Sequence, residues 1–139
     1  MNVLIDTQIL IWSLFKDARL SDRGIELVDL SDKVFVSVAS IYEIDFKRRD
    51  PKRLRASDSL LQRMPNNMPA NLPRFGFTLL PINAEVSWRA ARLPFDHGDP
   101  WDRIIVAQAL ELDVPLVSAD KVLLRETEAH ARTRGLIVF

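Results

Sequence analysis

Five short runs of apolar residues are spread along the chain, and within each run the apolar residues follow one another instead of alternating with polar ones. The runs cover residues 3–5, 34–36, 77–80, 114–117 and 136–138. Continuous apolar runs of this length are typical of parallel strands that are covered on both faces. The pattern therefore predicts five buried strands of a parallel sheet.

The segments between these runs place apolar residues three and four positions apart, which is the spacing of amphipathic helices. Strands that alternate with such helices predict an α/β fold with a doubly wound sheet. Residues 65–73, where Pro, Asn and Met crowd together, are expected to form a loop. Helices are predicted around residues 9–14, 25–30 (with Ser21 as the N-cap), 38–48, 57–64, 84–92 and 101–113, and after Asp120.

Length and composition narrow the class of protein. A chain of 139 residues favours one domain over residues 1–139. The lack of cysteine excludes disulfides and thiolate zinc sites and fits a reducing compartment such as the cytoplasm. We expect no membrane segment, because no apolar run approaches ~20 residues. We also expect no signal peptide, because the first apolar stretch has no basic region before it and no small-residue cleavage site. The net charge is zero, so contact with a nucleic acid would need a local basic surface.

Four acidic residues fall where a doubly wound sheet places its ligands, beyond the carboxyl ends of its strands. Asp6 follows the first strand directly, and Asp120 comes shortly after the fourth. Glu43 lies on the helix after the second strand, on the same face as Ser40. Asp102 lies in the first turn of the helix before the fourth strand. If the first and fourth strands are neighbours, these carboxylates emerge into one crevice.

Each acid taken alone also has a structural interpretation. Asp99 is a good N-cap, Pro100 suits the first helical position, and Asp102 would then complement the helix dipole. Asp6 and Asp120 would serve equally well as N-caps, and the remaining acid as a solvated helix residue. For any one of them the structural interpretation is favoured.

The four acids taken together favour a metal site. Carboxylates that converge repel one another and raise each other's proton affinity, and a divalent cation removes that cost. Because the ligands are all oxygens, Mg²⁺ or Mn²⁺ is favoured over zinc or copper. The two histidines, His97 and His130, are expected to be a loop residue and a surface residue on the last helix.

Short motifs contain these acids and follow one another over nearly the whole chain. They are LIDT at 4–7, SIYEI at 40–44, HGDPWDR at 97–103 with IIVAQA after it, and LVSAD at 116–120. In this order they resemble the four motifs of the PIN-domain family, and the third is similar to that of its VapC toxins. The departures are the central loop with its extra Pro and Asn and the longer, charged segment 126–134. Within the motifs, Tyr42 stands where many members have Trp, and Ser118 where Thr is commoner.

The resemblance implies a fold and a set of site residues. The fold would be a three-layer one, with a five-stranded parallel sheet in the order 3-2-1-4-5 flanked by helices. One or two metal ions would bind, with Asp6 and Asp102 as direct ligands and Asp99 as an accessory acid. Glu43 and Asp120 would ligate through water, position the nucleophile or complete a second metal site. The catalytic quartet would be Asp6, Glu43, Asp102 and Asp120, and the hydroxyls that orient these carboxylates would be Thr7, Ser40 and Ser118.

The resemblance also implies an activity and partners. The protein would be a Mg²⁺- or Mn²⁺-dependent endoribonuclease that cuts single-stranded or looped RNA with an activated water. It would be the toxin of a toxin–antitoxin pair, and a VapB-like antitoxin would block its acidic pocket. A homodimer is expected as well.

Basic and aromatic residues leave two interpretations open. Six basic residues lie at positions 47–55, just beyond Glu43. Either they form a solvated helix end, or Lys47, Arg48, Arg49 and Lys52 contact RNA phosphates. Arg103 is expected in a structural ion pair. The three tryptophans fall on helical stripes and are expected in the core or an interface rather than as base-stacking platforms.

Two other functions are compatible with a doubly wound sheet. In a phosphoacceptor domain Asp6 would take a phosphoryl group, with Lys121 nearby, but Glu43 and Asp102 would then have no role. A binding module without chemistry would keep the fold alone, and the presence of all four acids argues against it.

Overall fold

A single parallel sheet organises the protein in the computed structural model, which describes residues 1–96 and 98–139. Its strands are β1 Asn2–Ile5, β2 Lys33–Ser37, β3 Phe77–Leu80, β4 Leu116–Val117 and β5 Ile137–Val138. Neighbouring strands are parallel throughout and follow the order β3-β2-β1-β4-β5. The predicted fold class and strand order are therefore confirmed.

Helices connect the strands and cover both faces of the sheet. Ser21 accepts a hydrogen bond from the Gly24 amide at 2.9 Å and caps α2 as predicted. The helix Pro100–Leu112 ends at Asp113, which takes the left-handed conformation that terminates a helix. The helices are α1 Thr7–Phe15, α2 Asp22–Leu30, α3 Val38–Arg48, α4 Met68–Asn71, α5 Ala84–Ala91, α6 Pro100–Leu112 and α7 Lys121–Glu128.

The strand residues explain why the apolar runs are continuous. Val3 and Ile5 face one apolar cluster, which packs under α1, α2 and α3, whereas Leu4 faces a second cluster, which includes Ile105 and Val106 of α6. All three β1 side chains are fully buried. Because successive residues of β1 point to opposite, equally apolar layers, no polar position is tolerated between them. None of the described helices is long and apolar enough to cross a membrane.

The helix predicted over residues 57–64 was wrong. The segment forms two separate 3-10 turns, Ala56–Asp58 and Leu61–Arg63. Pro65 disfavours a helical conformation for Met64, which is extended. In addition, the Arg48 guanidinium donates hydrogen bonds to the carbonyls of Met64 and Pro65 at 2.8 and 2.9 Å. Long-range hydrogen bonds thus replace the local ones of a helix.

Two other boundaries also differ from the prediction. The loop expected at 65–73 contains the short helix α4, whose N-cap Asn67 accepts from the Ala70 amide at 3.3 Å. The fourth strand begins at Leu116 rather than at Val114, because the Val114 amide donates to Ala109 at the end of α6. Its backbone amide is therefore not available to a strand at this point.

Candidate active site

The carboxyl ends of β1 and β4 lie side by side, with Leu4 paired to Leu116 and Ile5 to Val117. A cavity of about 320 Å³ opens beyond them. Its wall includes all four predicted quartet residues and Asp99, although they come from four separate parts of the chain. The charged side chains that line it are Asp6, Glu43, Asp58, Asp99, Asp102, Asp120 and Lys47.

Asp58 is the wall residue that the sequence did not indicate. It lies in the segment that was expected to be helical, with no motif around it. Its carboxylate accepts a hydrogen bond from the Arg55 amide at 2.9 Å, which closes the 3-10 turn. Only the path of this turn over the sheet edge carries Asp58 to the cavity, so no local signal could have identified it.

Asp6 is at once a helix cap and a buried acid of the cavity. Its Oδ1 accepts a hydrogen bond from the Ile9 amide at 2.9 Å, at the start of α1. The pKa of Asp6 is raised to about 6, chiefly by burial. The charges of Asp102 and Asp120 act in the same direction, and hydrogen bonds from Ser118 and Ile9 act against it. The site therefore favours a cation, or a proton, beside this carboxyl.

Glu43 lies on α3 and points toward the same cavity. Its pKa is raised to about 7, chiefly by burial and to a smaller extent by the charges of Asp99, Asp102 and Asp6. Lys47, one turn later on the same helix, opposes this shift. The charges of Asp6, Asp99 and Asp102 thus reach Glu43 across the cavity.

Asp99 and Asp120 cap the N-termini of α6 and α7, which begin at the cavity. The Asp99 Oδ1 accepts from the Trp101 amide at 2.9 Å at the start of α6, with Pro100 beside it as predicted. The Asp120 Oδ1 accepts from the amides of Val122 and Leu123 at 2.9 and 3.0 Å at the start of α7. The structural and the functional interpretation therefore do not exclude each other, because the same helix N-termini hold these carboxylates at the cavity.

Three hydroxyls lie behind the acids. Thr7 Oγ1 donates to Ser40 Oγ at 2.9 Å and so links α1 to α3 one turn before Glu43. Ser118 Oγ accepts from the Asp120 amide at 3.1 Å, and its hydroxyl lowers the pKa of Asp6. Thr7 and Ser40 thus hold two helices together near Glu43, and Ser118 lies between Asp120 and Asp6.

The donor set suits a hydrated divalent ion better than a closed metal cage. Within residues 1–96 and 98–139, no three acidic or histidine side chains are close enough together to ligate one ion as they stand. The carboxylates surround the cavity instead. Mg²⁺ keeps several waters and is held by one or two carboxylates. The carboxylate oxygens around the buried Asp6, whose pKa is raised, therefore fit such an ion.

The basic segment beyond Glu43 divides into residues with different surroundings. Lys47 lines the acidic cavity. The Arg48 side chain is 9% exposed, forms an ion pair with Asp45 and donates hydrogen bonds to backbone carbonyls. Arg49 and Lys52 are exposed, and the Arg49 side chain is 76% accessible. Of the four residues predicted to contact RNA, Lys47 therefore lies at the cavity and Arg48 has a structural position.

Other residues singled out in the sequence have clear positions. Trp12 is half-buried against the core, and Trp101 contacts Tyr42, but Trp88 is 61% exposed and so lies outside the core. His130 lies in the turn after α7, half-buried and 6.1 Å from the Phe95 ring, not on the helix surface as expected.

Arg103 has a structural position, Lys121 is not among the described residues that line the cavity, and His97 is not described. Arg103 donates to the carbonyls of Ala90, Leu93 and Phe95, which fixes the chain ahead of α6. Lys121 is exposed at the start of α7. Among the described residues, the basic side chain that lines the cavity is that of Lys47, not that of Lys121. The expectation for His97 lies outside the described residues.

Comparison with known proteins adds a family and a set of folds. The model of the PIN domain family matches residues 3–129. No curated protein matches the chain. Solved structures that share the fold include the VapBC2 complex from Rickettsia felis bound to a DNA fragment from its promoter. It is 12% identical, with a TM-score of 0.64, over 99% of this chain and 98% of that one.

Two further structures are similar over the whole fold. A toxin–antitoxin complex from Klebsiella pneumoniae is 18% identical, with a TM-score of 0.61, over 99% of this chain and 96% of that one. The FitAcB structure from Neisseria gonorrhoeae is 14% identical, with a TM-score of 0.62, over 99% and 96%. At these identities the likeness concerns the fold alone.

Proposed function

Because this chain belongs to the PIN-domain family, we propose that it is a divalent-metal-dependent endoribonuclease and the toxin of a toxin–antitoxin pair. The observation that carries the nuclease part is the single cavity at the sheet edge, which acids from distant segments line together with one lysine of the described residues. The toxin part is supported by the similar fold of a chain in a toxin–antitoxin complex.

Mg²⁺ or Mn²⁺ would be held by Asp6 and Asp102, with Glu43 and Asp120 acting through water and Asp99 as an accessory acid. When bound, the metal supplies positive charge that activates water and offsets the charge on the phosphodiester. The donor chemistry and the raised pKa of Asp6, to about 6, support this assignment.

The protein's own side chains would position the other reactants. The Glu43 carboxylate orients the attacking water, and the Lys47 ammonium, one turn away, faces the phosphate of the substrate. Thr7 and Ser40 hold α1 against α3 through their hydrogen bond, which keeps Asp6 and Glu43 at a constant separation. Water adds to phosphorus and the 3′ oxygen leaves with a proton, so the products carry a 5′-phosphate and a 3′-hydroxyl.

An antitoxin would inhibit by occupying the same cavity. Six acids line it against one lysine among the described residues, so a basic side chain from a partner is electrostatically favoured there. We propose a VapB-like antitoxin as this partner, and a homodimer as the toxin's own assembly.

The nuclease proposal is tested by Asp6→Asn and Asp102→Asn. Asparagine keeps the size and capping ability of aspartate and removes its charge, so both variants should fold and neither should cleave a mixed RNA substrate in Mg²⁺. Asp29→Asn, at an exposed position of α2, is the matched control and should cleave like the wild type. Wild-type cleavage by both cavity variants would refute the nuclease proposal.

The toxin proposal is tested in cells. Induced expression should arrest growth, and co-expression of the product of the neighbouring reading frame should relieve the arrest. Growth that continues under expression of a protein that is active in vitro would indicate a nuclease with another role.

A further inference from the structure

Three aromatic side chains form a continuous surface beside the acidic cavity, which we call the aromatic shelf: Tyr42, Phe46 and Trp101. The rings of Tyr42 and Phe46 stack with centroids 5.5 Å apart and planes 12° apart. Trp101 meets Tyr42 with centroids 4.9 Å apart. Tyr42 is 51% and Phe46 45% exposed. An exposed apolar surface of this kind marks a binding site more often than a chance arrangement.

The position of the shelf follows from two helices that start at the sheet edge. Tyr42 and Phe46 are four residues apart on α3 and so share a face. Trp101 lies in the first turn of α6, next to the cap Asp99. A second cavity of about 250 Å³ lies against the shelf and shares Glu43, Lys47 and Asp99 with the acidic cavity. The shelf thus begins where the acidic cavity ends.

Positive charge borders the shelf. The Arg53 guanidinium lies 3.8 Å from the centre of the Phe46 ring and donates to the Phe46 carbonyl at 2.9 Å. Lys47 and Arg53 both line the second cavity. Aromatic faces combined with cations are the means by which proteins bind unpaired nucleic acid strands, because bases stack on the rings and phosphates meet the cations.

We propose that the aromatic shelf stacks an unpaired base next to the scissile phosphodiester of a single-stranded RNA, with Lys47 and Arg53 contacting the flanking phosphates. This inference rests on the proposed function, since it takes the acidic cavity as the place of cleavage. It assigns Trp101 a base-stacking role, whereas the sequence pattern favoured a place in the core or an interface.

The position of the shelf and its combination of rings with cations favour a nucleic acid over a second copy of the chain as the occupant. A second copy on the shelf would cover the mouth that the two cavities share and so obstruct the substrate.

Binding in the absence of metal tests the shelf without cleavage. A labelled, unstructured RNA of about 12 nucleotides is titrated with the full chain in EDTA, and anisotropy gives the Kd. Tyr42→Ala and Trp101→Ala should each weaken binding by roughly 5- to 100-fold, whereas Tyr42→Phe should keep it. Trp88→Ala removes an exposed tryptophan from a different surface and should stay within about twofold of the wild type.

Two additional measurements separate stacking from a general loss of structure. RNA should quench tryptophan fluorescence in the wild type, and most of this quenching should be absent in Trp101→Phe. Arg53→Gln should lower the slope of log Kd against log salt by ~0.7, because one phosphate contact is lost. Circular dichroism and thermal melting confirm that each variant is folded.

The outcomes distinguish this inference from the proposed function. Cleavage by the wild type, with binding and KM unchanged in folded Tyr42→Ala and Trp101→Ala, overturns the shelf and leaves the nuclease. Binding that depends on the shelf, without cleavage in Mg²⁺ or Mn²⁺, overturns the nuclease instead. Should the shelf variants turn a dimer into a monomer at unchanged RNA affinity, the shelf is a protein interface and the proposal is wrong. A wild type that binds no RNA overturns it too.

Discussion

At the scale of single residues, the acids of the cavity have two physical roles at once. Asp6, Asp99 and Asp120 each cap a helix through a carboxylate oxygen, and each lines the cavity. A cap holds its side chain in one place, since the accepted hydrogen bond restricts its rotation. Capping therefore positions the carboxylates in advance of any ligand, which lowers the entropic cost of binding one.

Asp6 should make the stability of the metal-free protein depend on pH. Its pKa rises from 3.8 unfolded to about 6 folded, so the folded state binds more protons between these values and loses stability as the pH rises through them. Above about pH 6 this loss of folding stability is complete. Since asparagine has no such charge, Asp6→Asn should be about 1–3 kcal/mol more stable than the wild type near pH 8 in EDTA.

Urea unfolding near pH 4 and pH 8 checks this, and the advantage of Asp6→Asn should shrink at the lower value. Asp29→Asn, exposed on α2, serves as the control and should lie close to the wild type at both. An Asp6→Asn variant that is less stable near pH 8 would contradict burial as the cause of the pKa shift.

At the scale of elements, one arginine determines the path of the segment after α3. The Arg48 side chain bonds to Asp45 on its own helix and to carbonyls 16 and 17 residues further on. These bonds hold the 3-10 turns against α3 and, with them, Asp58 at the cavity. A segment without regular helical bonds thus has its carbonyls satisfied by a side chain.

Arg48→Met should therefore destabilise the protein, by about 1–3 kcal/mol, because buried carbonyls lose their donors. The neighbouring Arg49→Met, whose side chain is largely exposed, should change stability by no more than about 0.5 kcal/mol. Chemical denaturation of both variants measures the difference. Equal effects would mean that the Arg48 contacts contribute nothing net.

At the scale of the whole molecule, the cavity is a place where negative charge from five parts of the chain accumulates at a sheet edge. Folding brings these charges together, which lowers the stability of the metal-free protein, and a cation should restore it. The linkage between metal binding and folding makes this measurable without any substrate.

Mg²⁺ or Mn²⁺ should raise the melting temperature. At about a hundred times Kd the metal contributes ~2.7 kcal/mol, which corresponds to roughly 5–10 °C for a chain of this size. Asp6→Asn and Asp102→Asn should lose most of the shift, and Na⁺ at matched ionic strength should not produce it. An unchanged melting temperature, together with calorimetry that detects no binding, would remove the metal from the proposal.

Local features of the sequence were sufficient for the strands, for the longer helices and for most acids of the cavity. Apolar runs identified every observed strand, since burial on both faces leaves a continuous signal. The caps Ser21, Asp99 and Asp120 follow from residue type and spacing. The motif resemblance then supplied the strand order, which periodicity alone does not contain.

Tertiary structure alone decided what depends on contacts between distant segments. The turns at residues 56–63, the approach of Asp58 and the meeting of Trp101 with Tyr42 each join segments that no local pattern relates. The sequence by itself therefore determined which residues could carry chemistry, because side-chain type and helical or strand period are local. Their arrangement around one cavity was decided by long-range packing, because only the folded sheet brings its carboxyl edge together.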